Sequence, residues 1–335
     1  MKLKRYSENP IVIPGGQYWR RIATFNPGVI LDDDGTFYMI ERAVSNLAPL
    51  YSHFGLLRSR DGFHFEHVVD TPVMTAADFG TPRGTVEDPR MVKIDGQFLM
   101  TYVHRNYASS CFPNGKGIPN YHNPSDLPPG EANNYRSGIA SSPDLIHWTD
   151  LGRVTPPDVD DRDCILFPEK IGGRFAMLRR PQKYSGPQYG GVAKPSIWLA
   201  YSDDLRTWTE PQLVATVEQE WEGVKVGAGA TPLRTETGWL LIYHGVDNMA
   251  NYRTGLLLLD LDNPAKIIAR LPHPIFAPET YYEKVGLIIP NVVFPSANVV
   301  HNGTVYVYYG ACDSCICVAT CPLDEMLGEC LKFRR

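Results

Sequence analysis

The chain has 335 residues, with 32 basic against 37 acidic side chains and a formal charge of −5, which leaves no broad basic surface for nucleic acid. At 43% hydrophobic and 21% charged, it can bury a full core and is not a disordered tail. Its 29 glycines and 28 prolines exceed average usage and point to many turns between short strands.

From the N-terminus, Met1 to Pro10 carries basic residues with no apolar stretch behind them, so it does not read as a signal peptide. No later apolar run approaches the roughly 18 residues that span a bilayer. Seven cysteines is an odd number and reads as reduced thiols in a cytoplasmic protein.

A turn glycine followed by an aromatic or aliphatic strand then recurs five times. The copies begin at Asp34-Gly35, Asp95-Gly96, Gly172-Gly173, Thr237-Gly238 and Asn302-Gly303, with glycine spacings of 61, 77, 65 and 65. Asp-Gly, Asn-Gly and Gly-Gly supply the positive φ of tight hairpin turns. A further short strand follows each hairpin, at Gly55–Ser59, Gly138–Ser142, Ile197–Ser202, Gly255–Asp260 and, more loosely, Cys315–Thr320. Three of these run into one turn type, Ser59-Arg-Asp61, Ser142-Pro-Asp144 and Ser202-Asp-Asp204, in which Ser and Asp bind their own backbone. A unit of about 65 residues holding a hairpin and flanking strands is the size of a propeller blade. The expectation is one domain, residues 1–335, all-β and folded as a five-bladed β-propeller. The 77-residue spacing holds a Pro-, Asn- and Gly-rich insertion at 106–135, which reads equally as a lid or as a passive surface loop.

Propellers gather polar side chains around one axial funnel, so the candidates are the polar residues in or just after the apolar hairpins. They are Glu41 and Arg42, His104 and Arg105, Arg179 and Arg180, His244, and Asp313. Any one of them has an ordinary reading as a solvated or salt-bridged group. In Glu87-Asp88-Pro89-Arg90, Pro89 fixes the chain after Asp88 and Arg90 is placed to compensate a carboxylate; Asp88 reads as a turn residue or as a general acid. Arg162, Arg180, Lys225 and His244 supply cationic shapes suited to phosphate oxygens, and the glycines of Lys225-Val-Gly-Ala-Gly229 let backbone approach a ligand. No Walker loop or dinucleotide fingerprint is present. Cys315 and Cys317 fall on one strand face, poor geometry for a closed zinc site, so no metal is expected.

Taken together, Glu87-Asp-Pro-Arg90, Leu166-Phe-Pro-Glu-Lys170, Leu178-Arg-Arg-Pro181, Lys225–Gly229 and Trp239-Leu-Leu-Ile-Tyr-His-Gly245 resemble glycoside hydrolase family 130, from Tyr6 to Asp313. These are β-mannoside phosphorylases with a minority of β-1,2-mannosidases, on a five-bladed propeller. The resemblance implies that Asp88 is the catalytic acid, donating through a mannose hydroxyl while phosphate attacks the anomeric carbon and inverts it to α-mannose 1-phosphate. It implies that Arg162, Arg180, Lys225 and His244 hold phosphate and that Asn26, Arg42 and Asp313 hold mannose. Phosphate would be a co-substrate, with no other cofactor. Arg179 stands where many members carry His. The acceptor stays open among glucose, N-acetylglucosamine, mannose and mannooligosaccharides, and the linkage between β-1,4 and β-1,2; a homo-oligomer is compatible with the sequence. Two rivals remain: an inverting β-mannosidase with Glu41 or Glu169 activating water, and a glycan-binding propeller without turnover. On the phosphorylase reading, Arg180→Ala is expected to cost far more in phosphate affinity than in fold stability.

Overall fold

A computed structural model describes residues 1–110, 127, 133–156, 159–182, 186 and 190–335. Five antiparallel sheets follow one another along the chain. Blade I is Ala23–Leu31, Phe37–Leu47, Leu50–Ser59 and Glu66–His67; blade II is Thr85–Ile94, Gln97–Arg105, Arg136–Ser142 and Thr149–Arg153. Blade III is Asp161–Leu166, Phe175–Pro181, Ile197–Ser202 and Gln212–Ala215. Blade IV is Lys225–Ala228, Trp239–Val246, Tyr252–Leu259 and Ile267–Arg270, with Leu233–Arg234 also paired to its second strand. Blade V takes Val293–His301, Thr304–Ala311 and Cys315–Pro322 from the C-terminal end and Lys4–Arg5 from the other, so its outermost strand is the first of the chain. Four of the five expected hairpins join the first two strands of a blade, and the Thr237-Gly238 turn joins Leu233–Arg234 to the second strand of blade IV.

The side-chain period of two explains why the hairpin strands are apolar throughout. In Trp239–Tyr243, Leu240 and Ile242 enter a core shared with blade V, while Trp239, Leu241 and Tyr243 enter one shared with blade III. Blades I and II, II and III, and V and I share three more such cores. Every blade is therefore buried on both faces, and only its short outermost strand is left as an edge. The cysteines Cys315, Cys317, Cys321 and Cys330 pack as small apolar groups in the core between blades IV and V.

The Ser-x-Asp turns close as the sequence indicates. Asp144 Oδ1 accepts from the backbone N–H of Ile146 at 2.9 Å and of His147 at 2.8 Å, and Asp61 and Asp204 do the same in their blades. These N–H bonds hold Asp144 below the ordinary carboxylate range, and they bring Asp204 down to about 2. A second repeated device is a tyrosine, a carboxylate and an arginine bonded together. Tyr102 donates to Asp150 and receives Arg153; Tyr243 and Arg270 both donate to Glu222; Tyr309 and Arg5 both donate to Glu283. Arg5 thus does for blade V what Arg270 does for blade IV. Among the described residues no helix is long and apolar enough to cross a membrane.

Candidate active site

The first strands line the axis, and four of them shift register near their start. That of blade V shifts between Pro295 and Ala297, and the other three share one kind of bulge. Register shifts fall between Phe25 and Gly28, Glu87 and Arg90, and Arg162 and Ile165. Each bulge turns one non-glycine residue into the left-handed region: Asn26 at φ 47°, Asp88 at 53° and Asp163 at 51°. A bulge re-aims a side chain, and left-handed backbone on such residues is strain that clusters where geometry matters. Here it groups an amide and two carboxyl groups at one end of the ring.

Asp88 Oδ1 accepts from Asn26 Nδ2 at 2.9 Å and from Arg42 Nη1 at 2.8 Å, while Arg42 Nη2 reaches Glu87 Oε2 at 3.1 Å. Arg42 lies over the Phe25 ring, 4.5 Å from its centroid. Burial lowers its pKa, but Glu87, Asp88 and Asp313 outweigh that and raise it. Three carboxyl groups therefore share one guanidinium. The least well compensated is Asp313, which burial and the charges of Asp88 and Glu87 push up to about 7 against the opposing pull of Arg42. The compensator of Asp88 is Arg42, not Arg90 as the adjacent position suggested. Arg90 is buried and donates instead to the carbonyls of Gly229 at 2.8 Å and Pro89 at 3.3 Å.

Beside this acidic group lies a basic one. Arg162 and Arg180 face each other across blade III, and His244 faces Gly227 across blade IV. Arg180 Nε donates to Asp163 Oδ2 at 2.5 Å, and His244 Nε2 stands 3.6 Å from the same oxygen. Burial pushes Asp163 up, but Arg180, His244 and Arg90 hold it below the ordinary carboxylate range. Burial lowers His244 to about 3, with Arg180 and Lys225 adding to it, so the ring is neutral at pH 7. Burial likewise lowers Lys225 to about 7, helped by Arg180 and Arg162. Arg180 Nη1 and both ring nitrogens of His244 are buried with no hydrogen-bond partner among the described residues. Unsatisfied buried donors beside crowded cations fit an anion with several acceptor oxygens.

The sequence candidates sort by strand alternation. Arg42 and Arg180 face the site, whereas their neighbours Glu41 and Arg179 face blade packing, where Glu41 binds Arg20, Thr24 and His67 and Arg179 binds Asp161. His104 is bonded to Thr81, and Arg105 to Ser109 and Tyr135. Glu41 is thus consumed structurally, and Glu169 pairs with Arg234 at 3.1 Å in a hairpin turn at the other end of the ring, so neither suspected base can activate water at the site. The glycines of 225–229 also differ from expectation. A Cβ on Gly227 would strike Asp163 and the His244 ring, so its bareness admits those side chains rather than a ligand. The 106–135 insertion lies mostly outside the described residues. Its feet are tied, since Asn133 exchanges two 2.9 Å hydrogen bonds with the Tyr107 backbone.

Asp163 escaped the sequence reading, as did Tyr135, Tyr252 and Phe294, the last two flanking His244 with ring centroids at 5.9 and 4.7 Å. Gly310 of blade V is a further support, because a Cβ there would collide with the Asn26 amide oxygen and lie 2.9 Å from its backbone nitrogen. Gly310→Ala is expected to leave the melting temperature within a few degrees and lower kcat/KM by about 10²-fold through displaced Asn26 and Asp88. Parent-like kinetics would exclude this support.

Fold and site are those of a carbohydrate-active propeller enzyme. The chain belongs to glycoside hydrolase family 130: residues 2–123 and 130–332 match the family described as β-1,4-mannooligosaccharide phosphorylase. It is 38% identical over 333 residues to a 1,2-β-oligomannan phosphorylase of a Thermoanaerobacter species, covering 97% of this chain and 99% of the relative. It is 29% identical over 334 residues to a β-1,4-mannooligosaccharide phosphorylase of Ruminococcus albus, covering 96% and 89%. A β-1,2-mannobiose phosphorylase from Listeria innocua, solved with β-1,2-mannobiose, superposes with a TM-score of 0.77 at 23% identity over 98% of this chain and 99% of that one, and so shares its fold. The chain is accordingly an enzyme that acts on β-mannosidic bonds with phosphate.

Proposed function

We propose that the enzyme phosphorolyses β-1,2-linked mannosides to α-mannose 1-phosphate and a shortened acceptor, with inversion, and with phosphate as co-substrate and no other cofactor. The observation that carries phosphorolysis is the convergence of Arg162, Arg180, Lys225 and His244 beside Asp88, with buried donors unsatisfied. What supports the β-1,2 linkage is similarity, at 38% and 35% identity to enzymes of that name against 29% for a β-1,4 enzyme.

In this reading Asn26, Arg42 and Asp313 hold the mannose to be transferred. Asp88 gives its proton, relayed by a mannose hydroxyl, to the glycosidic oxygen as the C1–O bond breaks. A phosphate oxygen forms the new bond to C1 from the opposite face. Arg162, Arg180 and Lys225 offset the charge of the nucleophile, so no second carboxylate is needed to activate it, unlike in an inverting hydrolase.

The test is a panel of β-1,2- and β-1,4-mannobiose and mannosyl-N-acetylglucosamine with and without millimolar phosphate, reading free mannose and mannose 1-phosphate. Mannose 1-phosphate formed only with phosphate, and fastest from the β-1,2 substrate, is expected. Free mannose at full rate without phosphate would overturn the reading. Sulfate, a non-titrating mimic, adds a pH signature. An anion binds the protonated Lys225, so affinity should be level below pH 7 and weaken up to tenfold per unit above it. A sulfate inhibition constant flat from pH 6 to 9 would remove Lys225 from the cradle.

A further inference from the structure

Arg162 is held more loosely than Arg180, its partner across blade III. Its side chain is 32% exposed, and its contact with a carboxylate is a long one, Nε to Asp160 Oδ1 at 3.2 Å. Left to that alone, a flexible arginine among Arg180 and Lys225 would be driven outward by like charge. Yet it lies flat against a ring, its guanidinium carbon 3.3 Å from the centroid of Tyr135.

Tyr135 is held from three directions. Its carbonyl accepts the backbone N–H of Asp161 at 2.9 Å, one residue before Arg162. Its hydroxyl accepts from Arg105 Nη1 at 2.9 Å, and the Arg105 guanidinium carbon is 4.2 Å from the same ring centroid. Two guanidinium carbons at those distances above one face would overlap, so the arginines lie on opposite faces. Arg105 is completely buried and is fixed in turn by Ser109 at 2.9 Å. The rigid layer is therefore Arg105, then Tyr135, with Arg162 as its outermost member. The negative faces of an aromatic ring attract cations on both sides, which allows two guanidiniums to stand close without a carboxylate between them. A carboxylate there would neutralise Arg162, whereas the ring orients it and leaves its charge for an anion.

We propose that Tyr135 is the positioning residue for phosphate binding, setting the guanidinium plane of Arg162 by stacking while touching no substrate itself. This rests on the phosphorylase reading above. It gives the last residue of the insertion at 106–135 a role on the phosphate side of the site and not at the acceptor sugar.

The experiment compares Tyr135→Leu, Tyr135→Phe and Arg162→Met in the full enzyme, measuring KM for phosphate, KM for the mannoside and kcat separately. Tyr135→Leu is expected to raise the phosphate KM by about tenfold, an ordinary size for a half-buried cation–ring contact, with mannoside KM and saturating kcat within about threefold of the parent. Tyr135→Phe keeps the ring and should restore most of the phosphate affinity. Adding Tyr135→Leu to Arg162→Met should change the phosphate KM no further, because the two act through one contact. Should Tyr135→Leu fail to fold, Tyr135→Met, unbranched, able to adapt to the gap and lacking a ring, reads the same quantity. An unmoved phosphate KM, an equal loss in Tyr135→Phe, or a rise confined to the mannoside KM would each overturn the inference in a phosphate-dependent parent. A parent that cleaves without phosphate would instead overturn the underlying reading.

Discussion

Asp88→Asn is expected to lower phosphorolysis of an unactivated β-mannoside by about 10³-fold, the usual scale of a general acid, with the fold intact. An asparagine oxygen at the same place still accepts from Asn26 and Arg42, and Arg42 still has Glu87, so no buried charge is stranded. What is lost is the dissociable proton. The loss should therefore vanish with a dinitrophenyl β-mannoside, whose leaving group needs no protonation. Turnover of both substrates at the parental rate would remove Asp88 from catalysis, and an equal loss on both would show that it holds the sugar rather than protonating it.

Arg180→Ala is expected to raise the phosphate KM by 10²-fold or more, and here the structure amends what the sequence suggests about stability. Arg180 is bonded to Asp163, with both side chains 3% exposed, and removing one partner of a buried pair strands the other at a cost of about 3 kcal/mol. Protonation of His244, 3.6 Å from Asp163, would offset part of that. The cleaner variant is Arg180→Ala with Asp163→Asn, in which the stranded charge is gone. The double variant should recover most of the lost melting temperature and none of the phosphate affinity. Recovery of both would mean that Arg180 acts on the fold and not on the anion.

The architecture was legible because a blade is a short, repeated sentence: five turn glycines, five apolar strands and three Ser-x-Asp turns mark it without any tertiary knowledge. The N-terminal strand was not legible, since two residues, Lys4–Arg5, have no periodicity of their own and take their place from the edge left by Cys315–Pro322. In the site, strand ends gave Arg42, Arg180 and His244, but a period of two cannot say which of Glu41 and Arg42, or of Arg179 and Arg180, faces the axis. Asp163 was missed because nothing in Arg162-Asp-Cys-Ile165 looks like Glu87-Asp-Pro-Arg90. Aligning the first strands on their bulges would have placed Asp163 beside Asn26 and Asp88. Of the aromatic partners, Tyr135 just precedes a strand of blade II and Phe294 belongs to blade V, so only the closed ring brings them to the cations. Tyr252 instead sits on the strand beside His244 in blade IV.

The seam in blade V has a consequence for how the enzyme comes into being. Residues 4 and 5 leave the ribosome roughly 315 residues ahead of their partners, Ala319 and Thr320, a wait of roughly a quarter of a minute to a minute at ordinary synthesis rates. Throughout it the leading segment has no sheet to join, and its run of Lys2, Lys4 and Arg5 carries charge that discourages pairing with other nascent chains. Asn26 and Arg42 stand on one side of this seam, Gly310 and Asp313 on the other. The first appearance of activity during translation thus dates the moment at which the two sides of this seam meet.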